Sequence, residues 1–184
     1  IWLTEFGRQV LEHHEPSPHD AGGDRSAGRE AAARAEVDPD QVVLEYVAEA
    51  GAAWRAMLPR ASIVMLGVAC ERLVLLVAEA LAPDYAPIEK LLRPGPNKPP
   101  VQVSPLFTEV HQRLRALAAL PKPLAEGIDR ILAPIFERAR QLRNSSGHPT
   151  GARVSMAEAH AGLLLFPSFY AYVLDLLKAL ASHA

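Results

Sequence analysis

Apolar side chains recur along most of this chain at helical spacing. From Asp38-Pro39-Asp40 onward, Val43, Tyr46, Val47, Ala50 and Trp54 fall on one face, which predicts a first helix to about Met57. Asp38 has the chemistry of an N-cap and Pro39 that of a first helical residue, whose missing N–H costs nothing there. Pro59 marks a tight corner. A second helix is expected over residues 60–82, with Ile63, Leu66, Gly67, Cys70, Leu73, Val74 and Val77 on a broad apolar face. It is the most hydrophobic element and therefore the expected centre of the fold.

Residues 83–105 then hold seven prolines, at 83, 87, 94, 96, 99, 100 and 105. That density predicts a non-helical excursion, with at most one turn over residues 88–92. Ser104-Pro105 is the expected start of a third helix to about Leu120, and Pro121-Lys122-Pro123 interrupts it. A fourth helix follows over residues 124–143, kinked or split by Pro134 near Ala133. Ser155, with Glu158 three residues on, spells a capping box for a fifth helix to about Leu180, bent at Pro167. No period-2 alternation and no Asn-Gly hairpin signal occurs. The pattern predicts an all-α fold: an antiparallel helical bundle of four to five main helices, with a proline-rich loop between helices 2 and 3.

Residues 1–37 differ from the rest and read as an N-terminal arm or linker, or as the remnant of an upstream domain. The stretch 15–30 is rich in Pro, Gly, Asp and Ser, as linkers are. Leu3-Thr4-Glu5-Phe6-Gly7-Arg8 resembles, over a few residues, the step from wing to last helix in winged-helix DNA-binding domains. Residues 38–184 form the expected helical domain.

Composition narrows the function classes. Of the 184 residues, 49% are apolar and 22% charged, the balance of a globular domain with a real core. A net charge of −2 supplies no broad basic field for coating nucleic acid, but leaves room for a local basic cleft. The single cysteine, Cys70, excludes an intrachain disulfide and a thiolate zinc site, and fits a cytoplasmic protein. Glu71, Arg72 and Glu79 interrupt the longest apolar stretch, which favours a buried helix over a membrane span. No signal-peptide pattern opens the chain. Phosphate-binding glycine loops and a Gly-x-Ser-x-Gly elbow are also missing. His13, His14 and His19, beside Glu12, Glu15 and Asp20, have the donors for adventitious chelation only. No metal site or cofactor is expected.

The remaining chemistry gathers at the predicted end of the fourth helix, in Arg140, Arg143, Asn144, Ser145 and His148. Cations there complement the helix dipole, and Ser-Ser-Gly-His-Pro-Thr-Gly would then be a helix stop. The same spacing also brings a guanidinium able to grip phosphate near an imidazole able to move a proton at neutral pH. His111 and His160 lie on helices and read as surface or satisfied histidines. Phe166, Phe169, Tyr170 and Tyr172 read as core or interface residues.

Arg143-Asn144, four intervening residues and His148, with Gly147 before it, resemble the signature of HEPN domains. These are helical bundles carrying an arginine, often followed by a polar residue, and a histidine a few positions on. The resemblance implies a metal-independent endoribonuclease in a toxin–antitoxin or antiviral-defence system. It assigns Arg143, Asn144 and His148 to catalysis, with no cofactor, and Arg140 and Ser145 to RNA binding. It also implies a homodimer that joins two motifs at the ends of the fourth helices. Glu71 occupies the place where relatives often carry a supporting acid; otherwise it reads as a helix-surface group or ion pair. A regulator is implied too: an antitoxin, a nucleotidyltransferase partner or a sensor domain. The alternatives are a non-catalytic HEPN module binding nucleotide or a partner protein, and a helical regulator fused to a winged helix.

Overall fold

A computed structural model describes residues 40–93, 101–147 and 153–182. These residues form an all-α fold, with no strand among them. The helices are α1 (Gln41–Arg55), α2 (Pro59–Leu81), α3 (Ala86–Leu92), α4 (Val103–Ala116), α5 (Lys122–Gly127), α6 (Ala133–Gly147) and α7 (Met156–Ala181). The N-terminal arm with its histidine cluster and winged-helix-like stretch, prolines 94, 96, 99 and 100, and His148 lie outside the described residues.

The expected central helix is central. α2 packs against α1, α4, α6 and α7, and Leu73, Val77 and Ala78 are wholly buried. With the turn that follows it, α2 spans Pro59–Asp84, and like α7 it is long and apolar enough to cross a membrane. Here each contributes about half of its most apolar stretch to the core. Phe166, Phe169, Tyr170 and Tyr172 of α7 are all buried, as their spacing predicts.

The cap of α1 is Asp40 rather than Asp38, which lies outside the described residues. Asp40 Oδ1 accepts from the Val43 N–H at 3.0 Å, while Oδ2 accepts from Arg72 Nε and Nη2 at 3.1 and 2.8 Å. One carboxylate thus closes the start of α1 and ties it to α2. Burial raises its pKa, but the Arg72 and Val43 hydrogen bonds outweigh this and hold it below the ordinary value. At the other end Met57 takes a left-handed φ of 61°. Its N–H donates to Trp54 O, and that of Leu58 to Ala53 O, the paired bonds that satisfy the last carbonyls of a helix.

Two boundaries depart from expectation for reasons of proline chemistry, and the split expected near Ala133 is present. The proline-rich excursion is partly helical, with a 3₁₀ turn at Ala82–Asp84 and then α3. Pro83 and Pro87 sit in first turns, where no N–H is required, and fully buried Ile88 anchors α3 to the core. α4 starts at Val103, with Gln102 rather than Ser104 at the N-cap position and no side-chain capping bond, and stops at Ala116 rather than Leu120. Leu117 is extended, and Leu120 turns back into the core ahead of Pro121. The fourth predicted helix is three pieces: α5, a π segment at Ile128–Leu132, and α6. The widened turn, in which Ala133 N–H reaches back to Ile128 O, accommodates Pro134, whose ring would clash with a carbonyl in a regular helix. Pro167, by contrast, lies within a continuous α7, whose Ser155–Glu158 capping box forms as the sequence predicts.

Candidate functional site

α6 does not close at Arg143. It continues one turn to Gly147, carrying Asn144, Ser145 and Ser146 in helical conformation. Ser146 Oγ donates to Leu142 O at 2.7 Å, the bond back to the carbonyl four residues earlier that a serine inside a helix makes. The last turn therefore holds no basic residue. Because the dipole acts mainly within that turn, the longer helix weakens the purely electrostatic account of Arg140 and Arg143.

Arg143 is the centre of a small polar cluster. Its Nη2 lies 3.6 Å from Glu71 Oε2, reaching across from α6 to α2. Its Nη1 donates to Asn144 Oδ1 at 3.3 Å. The Arg143 side chain is 40% exposed and that of Glu71 only 16%, so the acid is sunk beneath a guanidinium that still meets solvent. Burial pushes the Glu71 carboxyl up from its ordinary pKa, and the Arg143 charge offsets only part of this. Glu71 thus pairs with Arg143 and not with its neighbour Arg72, which is held by Asp40 and by Glu79 at 3.2 Å.

Because the folded-state pKa of Glu71 is raised, its ionised form is disfavoured relative to the unfolded chain. It therefore subtracts stability at neutral pH, and the loss is relieved as pH falls through that raised pKa. Glu71→Gln is accordingly expected to melt at or above the wild-type temperature at pH 7, with a shallower change between pH 7 and 4. A lower Tm at pH 7 would show that the ion pair outweighs the burial of the charge.

The other expected site residues are placed differently. Arg140 turns to Glu137 on its own helix, with Nε and Nη2 at 3.1 and 2.8 Å from Oε2. Ser145 is exposed, and two residues along a helix put it on nearly the opposite side from Arg143. Gly147 ends α6 facing open space, and His148 is the next residue in the chain. Of the remaining histidines, His111 Nε2 lies 2.9 Å from Asp129 and His160 stacks on Trp54 at 5.0 Å, so both are engaged in packing. Among the described residues no three His, Cys, Asp or Glu side chains gather as a metal site would require.

Beside the cluster runs a narrow apolar cleft of about 40 Å³ between α2, α6 and α7. Its lining includes Ile63, Cys70, Ile135, Leu142 and Leu165. Burial pushes the Cys70 thiol up to about 12, well outside the range of a reactive thiolate. The residue that sequence reasoning overlooked is Gly67, which lets α6 come close at Arg143. A glycine inside an otherwise apolar helical stripe was the available signal. Comparisons with protein-family models, curated proteins and solved structures found no match.

Proposed function

We propose that the chain is a metal-independent endoribonuclease of the HEPN type. The observation that carries this reading is the half-exposed Arg143 guanidinium, backed by half-buried Glu71 and by Asn144, one helical turn before the end of α6 and His148. A cation tethered from behind by a half-buried carboxylate keeps an outward-facing edge for a phosphate. Asn144, already bonded to Arg143, orients the guanidinium or the substrate phosphate.

In this mechanism His148 removes the proton of a ribose 2′-hydroxyl, or protonates the departing 5′-oxygen. The 2′-oxygen attacks the adjacent phosphorus and the P–O5′ bond breaks, leaving a 2′,3′-cyclic phosphate and a 5′-hydroxyl. Arg143 stabilises the negative charge gathering on the phosphoryl oxygens. One histidine and one arginine are a small catalytic set, so the working form is a homodimer that pairs the ends of two α6 helices. RNA is the substrate, with Arg140 and Ser145 as outlying backbone contacts. A cytoplasmic toxin or antiviral effector of this kind needs restraint, supplied by an antitoxin, a nucleotidyltransferase or a sensor domain.

The test is incubation of the protein with RNA and with DNA of the same sequence, in excess EDTA. RNA is expected to be cut to fragments ending in cyclic phosphate, and DNA to be untouched because it lacks the nucleophile. Cleavage that stops with the chelator, or that proceeds equally on DNA, would sink the mechanism. Saturable nucleotide binding without cleavage, lost in Arg143→Ala, would favour a non-catalytic module.

A further inference from the structure

The Arg143 side chain is held at two points by α2, and only one of them is a charge. Gly67 and Glu71 lie four residues apart on α2, hence on the same face and one turn from each other. A Cβ built on Gly67 would fall 2.7 Å from Arg143 Cβ and 2.8 Å from Arg143 Cγ. Those atoms are the root of the side chain, held by the α6 backbone, and have no free end to swing away. One turn on, Glu71 meets the guanidinium at 3.6 Å. α2 therefore offers a hole and then an anion, matching the stem and then the head of Arg143.

We propose that Gly67 is a positioning residue for Arg143: its missing side chain lets the arginine stem enter α2 and so brings the guanidinium down onto Glu71. Any side chain at 67 drives α6 outward, because rotation about χ1 leaves the Arg143 Cβ in place, and that movement carries Nη2 away from Glu71. Gly162 of α7 is a useful contrast. A Cβ there would meet Leu66 Cδ2 at 2.9 Å and Ile63 Cδ1 at 3.6 Å, the far ends of flexible side chains. Adding a methyl group at 162 is therefore accommodated by small rotamer shifts.

The catalytic consequence rests on the ribonuclease reading above, whereas the seat itself does not, and the experiment separates the two. Gly67→Ala is made in the wild type and in Arg143→Gly, which removes both atoms that a Cβ at 67 would strike. In the wild type, Tm is expected to fall by about 4–8 °C. In Arg143→Gly it should stay level or rise, because alanine is the better helix former. Equal losses in both backgrounds, or failure to fold in both, would overturn the seat. Failure to fold in the wild-type background alone would uphold it.

Position is read directly from the Nη protons of Arg143, assigned by their absence in Arg143→Gly. Nη2, which faces Glu71, should give protons distinct from those of Nη1 in the wild type, and in Gly67→Ala the Nη2 signals should shift or average while Nη1 keeps its bond to Asn144. Unchanged Nη2 signals in Gly67→Ala would refute the positioning role. In RNA cleavage, folded Gly67→Ala should lose roughly 10- to 100-fold in kcat with KM within about threefold. Gly162→Ala should match the wild type. A wild-type kcat in Gly67→Ala would end the catalytic claim. Absence of cleavage by the wild-type protein would end the ribonuclease reading instead, with the stability cycle still deciding the seat.

Discussion

Arg143→Ala is expected to slow RNA cleavage by about 10²- to 10³-fold while leaving the fold intact, the cost of removing a donor aimed at developing charge. The residue is suited to this separation of effects. Its side chain is 40% exposed, and burial already disfavours the charged form of its partner Glu71, so the truncation deletes a partly solvated guanidinium and leaves a carboxyl that can take up a proton. Stability should therefore change far less than rate. His148→Ala should cost about 10²- to 10⁴-fold through loss of the proton-transfer group. Mixing the two inactive variants then tests the dimer. A heterodimer keeps one Arg143 and one His148 across the shared cleft, so the mixture should cleave faster than either variant alone. Single-turnover cleavage of a labelled oligonucleotide is the measurement. A rate for Arg143→Ala within threefold of the wild type would remove the arginine from the mechanism, and an inert mixture would argue for sites that work alone.

The largest effect on folding is expected at Gly127, the last residue of α5 before the π segment. A Cβ there would lie 2.9 Å from Tyr172 Cδ2 and 3.0 Å from Cζ, with its closest approach at Cε2. The ring has no easy escape. Tyr172 is buried in α7, and its hydroxyl donates to Leu124 O at 2.7 Å, pinning it to the same short helix. Burial, with a smaller contribution from Asp129, pushes that hydroxyl's pKa up to about 12. Gly127→Ala would gain at most about 1 kcal/mol of helix propensity. Against this stand overpacking of about 1–3 kcal/mol and a strained or broken buried hydrogen bond of about 1–3 kcal/mol. The net loss should be about 1–5 kcal/mol, a Tm lower by about 3–20 °C in thermal unfolding. Tyr172→Leu, which clears the space, should recover part of the loss. An undiminished penalty in that background would place the strain elsewhere.

Much of the architecture was legible because it rests on local rules. The apolar stripe of Ile63, Leu66, Cys70, Leu73, Val74 and Val77 identified α2 as the core helix, and all six are buried. Ser155 and Glu158 announced the start of α7, since both partners of a capping box lie within four residues. The errors were also local, and mostly concerned proline. A proline forbids one hydrogen bond, but it does not say whether the chain responds with a break, a first turn or a widened turn. At Pro83 and Pro87 the response was a new helix start, and before Pro134 it was a π segment. Asp38 and Asp40 are equivalent as caps by residue type. What distinguishes Asp40 is Arg72, thirty-two residues away.

The segment ending α6 shows the same division. Sequence alone determined that an arginine, an asparagine and a histidine stand together near a helix end in an all-α chain, because spacing and composition are properties of the chain itself. Only the tertiary structure decided that the helix runs on to Gly147, that Arg143 rather than Arg140 reaches across to α2, and that Glu71 is the carboxylate that meets it there. It alone revealed Gly67 as the opening through which that contact is made. Which carboxylate a guanidinium meets depends on how closely two helices approach, and that distance is set by side chains remote in sequence.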